Sequence, residues 1–272
     1  HIISDGLSVA IMLKEIADLY EGRVLPDPGL QYKDYCGWYN RILETGLVKN
    51  QEEFWLNQFA YGIPALNIPL DYPRSPKPDF NGHTIWFNLS KELTGNLNKL
   101  AKIGNVTLNT LLLSAYALLV SITAQQNNFV IGTIGSGRSQ PGLRTMLGLF
   151  INFLPIRFSL NQDHTFVELL AQTNREIMMI LDNQDYPYYK IVEKLTSGID
   201  RTRNPLFDTM LIFHNEFPEG INLPIAGLTS EMFEFTRNTA TLDLKVDVYP
   251  TPNGTLKCVL EYKTGLFSSQ TM

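Results

Sequence analysis

The chain has 272 residues, 44% of them hydrophobic and 18% charged, with a formal net charge of −5. That length supports one large or two small folded domains, and the composition excludes a disordered chain. The acidic balance argues against an electrostatic nucleic-acid binder, which carries basic stripes. No uninterrupted apolar run reaches the roughly 18–20 residues of a membrane-spanning helix.

Taken in order, His1-Ile2-Ile3-Ser4-Asp5-Gly6 forms an H-x-x-x-D-G pattern directly before a helical stretch. A histidine exchanges a proton near neutral pH, an aspartate four residues on can hold the loop that aims it, and a glycine permits the turn into the helix. Alone, the pattern describes equally well a terminal histidine followed by an ordinary aspartate turn. From Gly6 to Gly22 the residues Leu7, Ile11, Ile16 and Leu19 recur at helical spacing, with Val9 and Met12 beside them. Asp5 is placed to cap this helix and Gly22 to end it. A loop through Pro26, Pro28 and Gly29 leads to a second helix opening at Tyr32 with an aromatic face. Asn50 is expected to cap a third, whose apolar side is Phe54, Trp55 and Phe59; plain packing accounts for these aromatics. The proline-rich stretch from Ile63 to Pro78 is neither regular helix nor central strand, and a subdomain boundary is placed there.

Beyond it, Thr84 to Leu89 alternates as a strand, Ser90 caps a helix to Ile103, and Asn105 or Thr107 starts a helix through Thr123 that reads as buried. Phe129 to Gly135 is a buried strand ending in the turn Ser136-Gly137-Arg138-Ser139, and a further apolar segment runs through Pro155 to Arg157. Thr165 to Leu181 and Tyr188 to Leu195 read as helices. Phe207 to His214, Thr229 to Phe235, Leu242 to Tyr249 and Thr255 to Tyr262 read as strands, the last two joined by a turn at Asn253-Gly254. The class is α/β or α+β, a mixed sheet with flanking helices.

The composition of possible sites excludes several chemistries. Gly132 to Gly137 lacks the lysine and the order of a phosphate-binding loop. His1, His83, His164 and His214 show no metal-ligand spacing, so no metal is expected. Ser114 and Ser139 lack the G-x-S-x-G elbow. Cys36 and Cys258, the only cysteines, fit free thiols in a reducing compartment, the cytoplasm, better than a disulfide framework.

Five segments, in order, resemble the motifs of the condensation domain of non-ribosomal peptide synthetases. His1 to Gly6 resembles the end of H-H-x-x-x-D-G. Tyr32-Lys33-Asp34-Tyr35 with Trp38 resembles Y-x-D-[FY]-x-x-W. Gly148-Leu149-Phe150-Ile151-Asn152 with Leu154-Pro155-Ile156-Arg157 resembles G-x-F-[VI]-N-x-L-P-x-R. Asn183 to Tyr188 resembles [HN]-Q-D-x-P-F, and Asp200 to Asp208 resembles R-D-x-S-R-N-P-L-F-D. Leu7 stands where many members have tryptophan, and Ile199 where an arginine usually precedes Asp200.

The resemblance implies a two-lobed, chloramphenicol acetyltransferase-like fold with its active site in a tunnel between the lobes. On that basis the chain lacks the first histidine of the motif and most of the first lobe. Residues 1–65 are then the remnant of the N-terminal lobe with the crossover, and residues 66–272 the C-terminal lobe. The chain is expected to expose an apolar face where the first lobe packs, and to be inactive alone. The implied reaction is peptide-bond formation between thioesters carried on the 4′-phosphopantetheine arms of an upstream and a downstream carrier protein. An adenylation domain is implied alongside, with no cofactor bound directly. His1 would orient or deprotonate the attacking amine. Asp5 would be structural, accepting from an arginine, with Arg157 the first candidate and Arg138 the second. The Gly6 amide would help stabilise the oxyanion, and Asn215 would line the tunnel. Arg138, Arg157 and Asn215 read equally well as caps at strand ends. Within the family, His1 argues against a cyclization domain, and Arg203 to Asp208 against an epimerization domain, which stays the alternative within the family. The alternative from another class is a catalytically idle module that docks carrier proteins or tailoring enzymes.

Overall fold

A computed structural model describes residues 3–196, 202–214, 225, 227–228 and 238–272. His1, Asn215, the strand expected over 229–235, and Asp200 lie outside the described residues.

Seven α-helices occur among the described residues, and four of them begin at a side-chain cap. α1 spans Gly6–Tyr20, and Asp5 caps it by accepting from the Ser8 amide at 2.9 Å. α2 spans Tyr32–Thr45 and stops at Gly46, whose φ of 73° suits a residue without a side chain. α4 (Lys91–Ile103), α5 (Leu108–Ala124) and α6 (Phe166–Asp182) begin at Ser90, Thr107 and Thr165, each side chain accepting from a first-turn amide. α7 spans Tyr188–Leu195, directly after Pro187. α3 departs from expectation: it runs Lys49–Gln58 from Val48, so Asn50 lies inside its first turn instead of capping it. Burial of Trp55 and Phe59 positions this helix.

The strands are β1 (Gly82–Leu89), β2 (Asn128–Gly135), β3 (Asn152–Ser159), β4 (Thr209–Phe213), β5 (Leu244–Pro250) and β6 (Leu256–Lys263). They form one mixed sheet in the order β1-β6-β5-β4-β2-β3. β2, β4 and β5 run parallel, and the remaining pairs are antiparallel. Pro155, which lacks a backbone donor, is tolerated because β3 is an edge strand. Gly254, at φ 77°, makes the β5–β6 turn.

α5 packs on one face of the sheet. Leu113, Ala117 and Val120 join Phe129, Ile131 and Leu154, and Leu108 and Leu112 meet Phe213 and Val248. α5 also packs through Leu111 against Ala101 of α4 and Leu170 of α6, and its remaining side is bare. Leu119 and Ile122 are 59% and 67% exposed, whereas Ser114 and Ser121 are inside, donating to the Thr110 carbonyl and to Asn127 Oδ1. α1 shows the same inversion. Ser8 and Ala17 are buried, and Val9, Met12, Ile16 and Leu19 are exposed.

The proline-rich stretch is irregular and stitched to the lobe. The Asn67 amide donates to Gln126 Oε1 at 2.7 Å, and the Asp71 and Tyr72 amides donate to the Leu266 carbonyl. Leu66, Trp55 and Phe59 share one hydrophobic cluster with Leu154 and Ile156, so a single core spans both sides of residue 65. Cys36 and Cys258 are free thiols.

Candidate active site

β2 ends at Gly135, and the turn that follows carries Arg138 back under the start of α1. Gly137 makes this possible: its φ is 62°, and the Phe150 carbonyl occupies the space a side chain would need. Arg138 is 5% exposed and Asp5 2%. Arg138 Nη2 lies 2.9 Å from Asp5 Oδ1 and 3.2 Å from Oδ2, and 2.9 Å from Ser8 Oγ. Its other terminal nitrogen donates to the Leu143 and Met146 carbonyls, and the guanidinium sits 4.0 Å above the Phe150 ring.

Asp5 also accepts from the Phe150 amide at 3.2 Å and from Ser8 through its amide and hydroxyl. Burial opposes ionisation of this carboxyl, but the hydrogen bonds from Ser8, Arg138 and Phe150 outweigh it and hold Asp5 below its ordinary value. A carboxylate so placed is an anchor, not a proton donor.

The second and third motifs meet this anchor, and the other two are tied to their neighbours. The Gly148 amide donates to Ser8 Oγ at 3.0 Å. The Tyr32 ring lies where a Gly148 side chain would stand, and its hydroxyl donates to the Leu149 carbonyl at 2.7 Å. Asn152, at the start of β3, holds the 184–188 segment: Nδ2 donates to the Gln184 and Tyr186 carbonyls, and Oδ1 accepts from the Tyr188 amide. Tyr39 and Trp55 donate to the Asp185 and Asn183 carbonyls at 2.5 and 2.9 Å. Arg203 donates to Asp208 Oδ2 and to the Leu66 carbonyl, each at 2.7 Å. Phe207 fills the space beside Gly132, where a Cβ would lie 2.5 Å from its ring.

Arg157, the first candidate partner for Asp5, lies elsewhere. It sits opposite Val130, toward the far end of the β2–β3 pair, and donates to Asn128 Oδ1 and to the Gln58 and Gly62 carbonyls. Arg138 is the residue that meets Asp5. Gly6 is exposed and opens α1. Sequence reasoning passes over Ser8, three residues beyond Asp5 in the first helical turn, whose only signal is a small polar residue at an apolar-looking start. It also misses Arg74 and Asp243, a forked ion pair tying the proline-rich stretch to β5.

No group of His, Cys, Asp or Glu suited to a metal ion occurs among the described residues, and no single helix there is long and apolar enough to cross a membrane. A groove of about 430 Å³ between α5 and the turn before α6 is lined by Leu118, Ile122, His164 and Leu169 and belongs to none of the five motifs.

Comparison with known proteins gives one answer. The condensation domain family matches residues 1–272. Gramicidin S synthase 2 of Brevibacillus brevis is 40% identical over all 272 residues, and bacitracin synthase 3 of Bacillus licheniformis 38%. The chain spans only 6% and 4% of those proteins' lengths. Among solved structures, the condensation domain of a Monacolin K polyketide synthase superposes with a TM-score of 0.84 at 19% identity, covering 98% of this chain and 63% of that one. The X-domain from teicoplanin biosynthesis gives 0.84 at 23%, covering 99% and 63%. Likeness at this identity speaks for the fold, and the match along the whole sequence speaks for the family: the chain belongs to the condensation domains of nonribosomal peptide synthetases.

Proposed function

We propose that this domain forms a peptide bond between two carrier-bound substrates. An upstream carrier protein presents an aminoacyl or peptidyl thioester, and a downstream carrier presents an aminoacyl group with a free amine. The amine attacks the thioester carbonyl, the C–S bond breaks, and the chain moves to the downstream carrier. Phosphopantetheine arms deliver both substrates, and an adenylation domain works alongside, in the cytoplasm. His1 orients the amine and accepts its proton. The Gly6 amide, at the positive end of α1, faces the developing oxyanion. Residues 1–65 serve as the remainder of the first lobe and the crossover, and residues 66–272 as the second lobe.

The observation that carries this reading is the buried Asp5–Arg138 pair. It fixes Asp5, in the H-x-x-x-D-G pattern, beside the end of β2, and a rigid anchor four residues after His1 is what an aimed base requires. Kinship with the gramicidin S and bacitracin synthases supports it. The test uses the full-length protein with both carriers loaded, reading dipeptidyl-carrier formation by mass spectrometry. His1→Ala is expected to abolish product, and unchanged product removes His1 from the mechanism. The likeness to the teicoplanin X-domain, whose structure is also known in complex with OxyB, favours a second reading, a docking module without catalysis. Absence of product from the parent protein selects that reading.

A further inference from the structure

Ser8 stands three residues beyond Asp5, in the first turn of α1, and its hydroxyl is engaged on every side. Ser8 Oγ accepts from Arg138 Nη2 at 2.9 Å and from the Gly148 amide at 3.0 Å. Asp5 Oδ1 and the Gly148 carbonyl each lie 2.7 Å away. A serine hydroxyl has one hydrogen and two lone pairs. Both lone pairs are therefore filled, and the hydrogen has two oxygens to choose between. Ser8 is 2% exposed, so solvent does not stand in for a lost partner.

These bonds make the second of two attachments between the first and third motifs. Residues 148–150 lie just before β3 and beside the end of β2, because Gly135 pairs with Asn152. Gly148 is held by Ser8 through both its amide and its carbonyl, and the Tyr32 ring fills the space where its Cβ would stand. Two residues on, the Phe150 amide donates to Asp5 Oδ2 at 3.2 Å. One attachment leaves a helix free to pivot, whereas two fix its direction. Asp5, just outside the helix, sets the point where α1 starts. Ser8, inside the first turn, sets its rotation about its own axis. The chain runs back from this fixed start to His1.

Resting on the condensation reading, we propose that Ser8 is a positioning residue for the reaction: its hydroxyl locks the rotation of α1 against residues 148–150 and thereby sets the aim of His1 at the attacking amine. Buried as it is, Ser8 acts through His1 and not on the substrate.

The test uses the full-length protein with both carriers loaded. Ser8→Ala removes the hydroxyl and leaves the Asp5–Arg138 bonds in place. Well below its melting temperature, this variant is expected to lose about ten- to a hundred-fold in kcat for dipeptidyl-carrier formation, the scale of a misplacement of about 1 Å. KM for the downstream carrier stays within about two-fold of the parent. Ser8→Thr keeps the hydroxyl and recovers most of the rate. A hydroxyl that only adds stability gives a different result, a lower melting temperature with kcat unchanged in the folded protein. If Ser8→Ala does not fold, Ser8→Cys is read in the same way, since a thiol keeps the volume but accepts weakly. Hydrogen exchange at the Gly148 amide reports the contact without turnover, and should quicken about three- to ten-fold when the hydroxyl is removed, the range of one net hydrogen bond. Parent kcat in Ser8→Ala, a loss confined to KM, or a loss that Ser8→Thr does not recover overturns the proposal. A parent that makes no dipeptide, with exchange quickened in Ser8→Ala, sinks the condensation reading and spares the lock on α1; dipeptide formation with kcat unchanged in Ser8→Ala does the reverse.

Discussion

At the scale of single residues, the two buried aspartates of the motifs are held in opposite electrostatic conditions. Asp5 is surrounded by donors, with Arg138 alone supplying both of its oxygens. Removing that arginine leaves a buried carboxylate uncompensated, which costs about 3–5 kcal/mol. Arg138→Ala is therefore expected to lower the unfolding free energy by that order in denaturant titration, and Arg138→Lys to recover only part of it, because one ammonium at Asp5 leaves the Leu143 and Met146 carbonyls without their donor. A loss below 1 kcal/mol for Arg138→Ala would show that Asp5 is not anchored as described. Asp208 is different. One oxygen is bonded to Arg203, but Oδ1 is buried without a partner. Burial, with Asp243 nearby, pushes its carboxyl up to about 6 from 3.8, against the pull of Arg203 and Arg74. The folded state thus holds this proton more tightly than the unfolded chain. The resulting stabilisation is complete below about pH 4 and is lost as the pH rises to about 6. Asp208→Asn keeps a neutral group of the same shape, so its melting temperature should fall less than the parent's across that window. Parallel pH profiles would contradict the assignment.

At the scale of elements, Ser90, Thr107 and Thr165 were readable as helix starts because a cap is decided within three residues. Which face of a helix goes inward was not, because that depends on partners far along the chain. Ser8 is buried since Arg138 and Gly148 meet it, and of the apparent stripe of α1 Ile16 and Leu19 are exposed while Leu7 and Ile11 are half-buried. The arginine partner of Asp5 is a similar case. Arg138 and Arg157 both follow or end apolar segments, and only the antiparallel β2–β3 register puts them at opposite ends. The motifs, in contrast, were legible as a set, and the structure supplies their physical reason in backbone contacts. Asn152 satisfies two carbonyls and one amide of the 184–188 segment. Asn152→Ala strands all three, at about 1–3 kcal/mol for each group left buried and unpaired. The expected result is faster hydrogen exchange at the Tyr188 amide and a clear loss of stability. Exchange at the parent rate would mean the segment is held by Tyr39 and Trp55 alone.

At the scale of the whole molecule, one sheet carries the core while two helix faces remain without cover. α5 presents Leu119 and Ile122, and α1 presents Val9, Met12, Ile16 and Leu19. The solved condensation domain and X-domain chains it resembles are longer, this chain covering 63% of each. Composition alone did not foretell these faces, since 44% hydrophobic residues is ordinary for a folded chain. The helix that bears the Asp5 cap also carries an exposed apolar side, so the loop is tied to the sheet by polar bonds at one end of α1. Several adjacent exposed apolar side chains form a patch that dyes sensitive to hydrophobic surface should detect. In the 272-residue chain, Met12→Lys, Ile16→Lys and Leu19→Lys together should cut that dye fluorescence sharply. Because these side chains are about half exposed, each substitution should lower the unfolding free energy by about 1 kcal/mol at most. A large loss of stability with unchanged dye binding would show instead that the face is packed within this chain, and that α1 is fixed along its whole length and not by its cap.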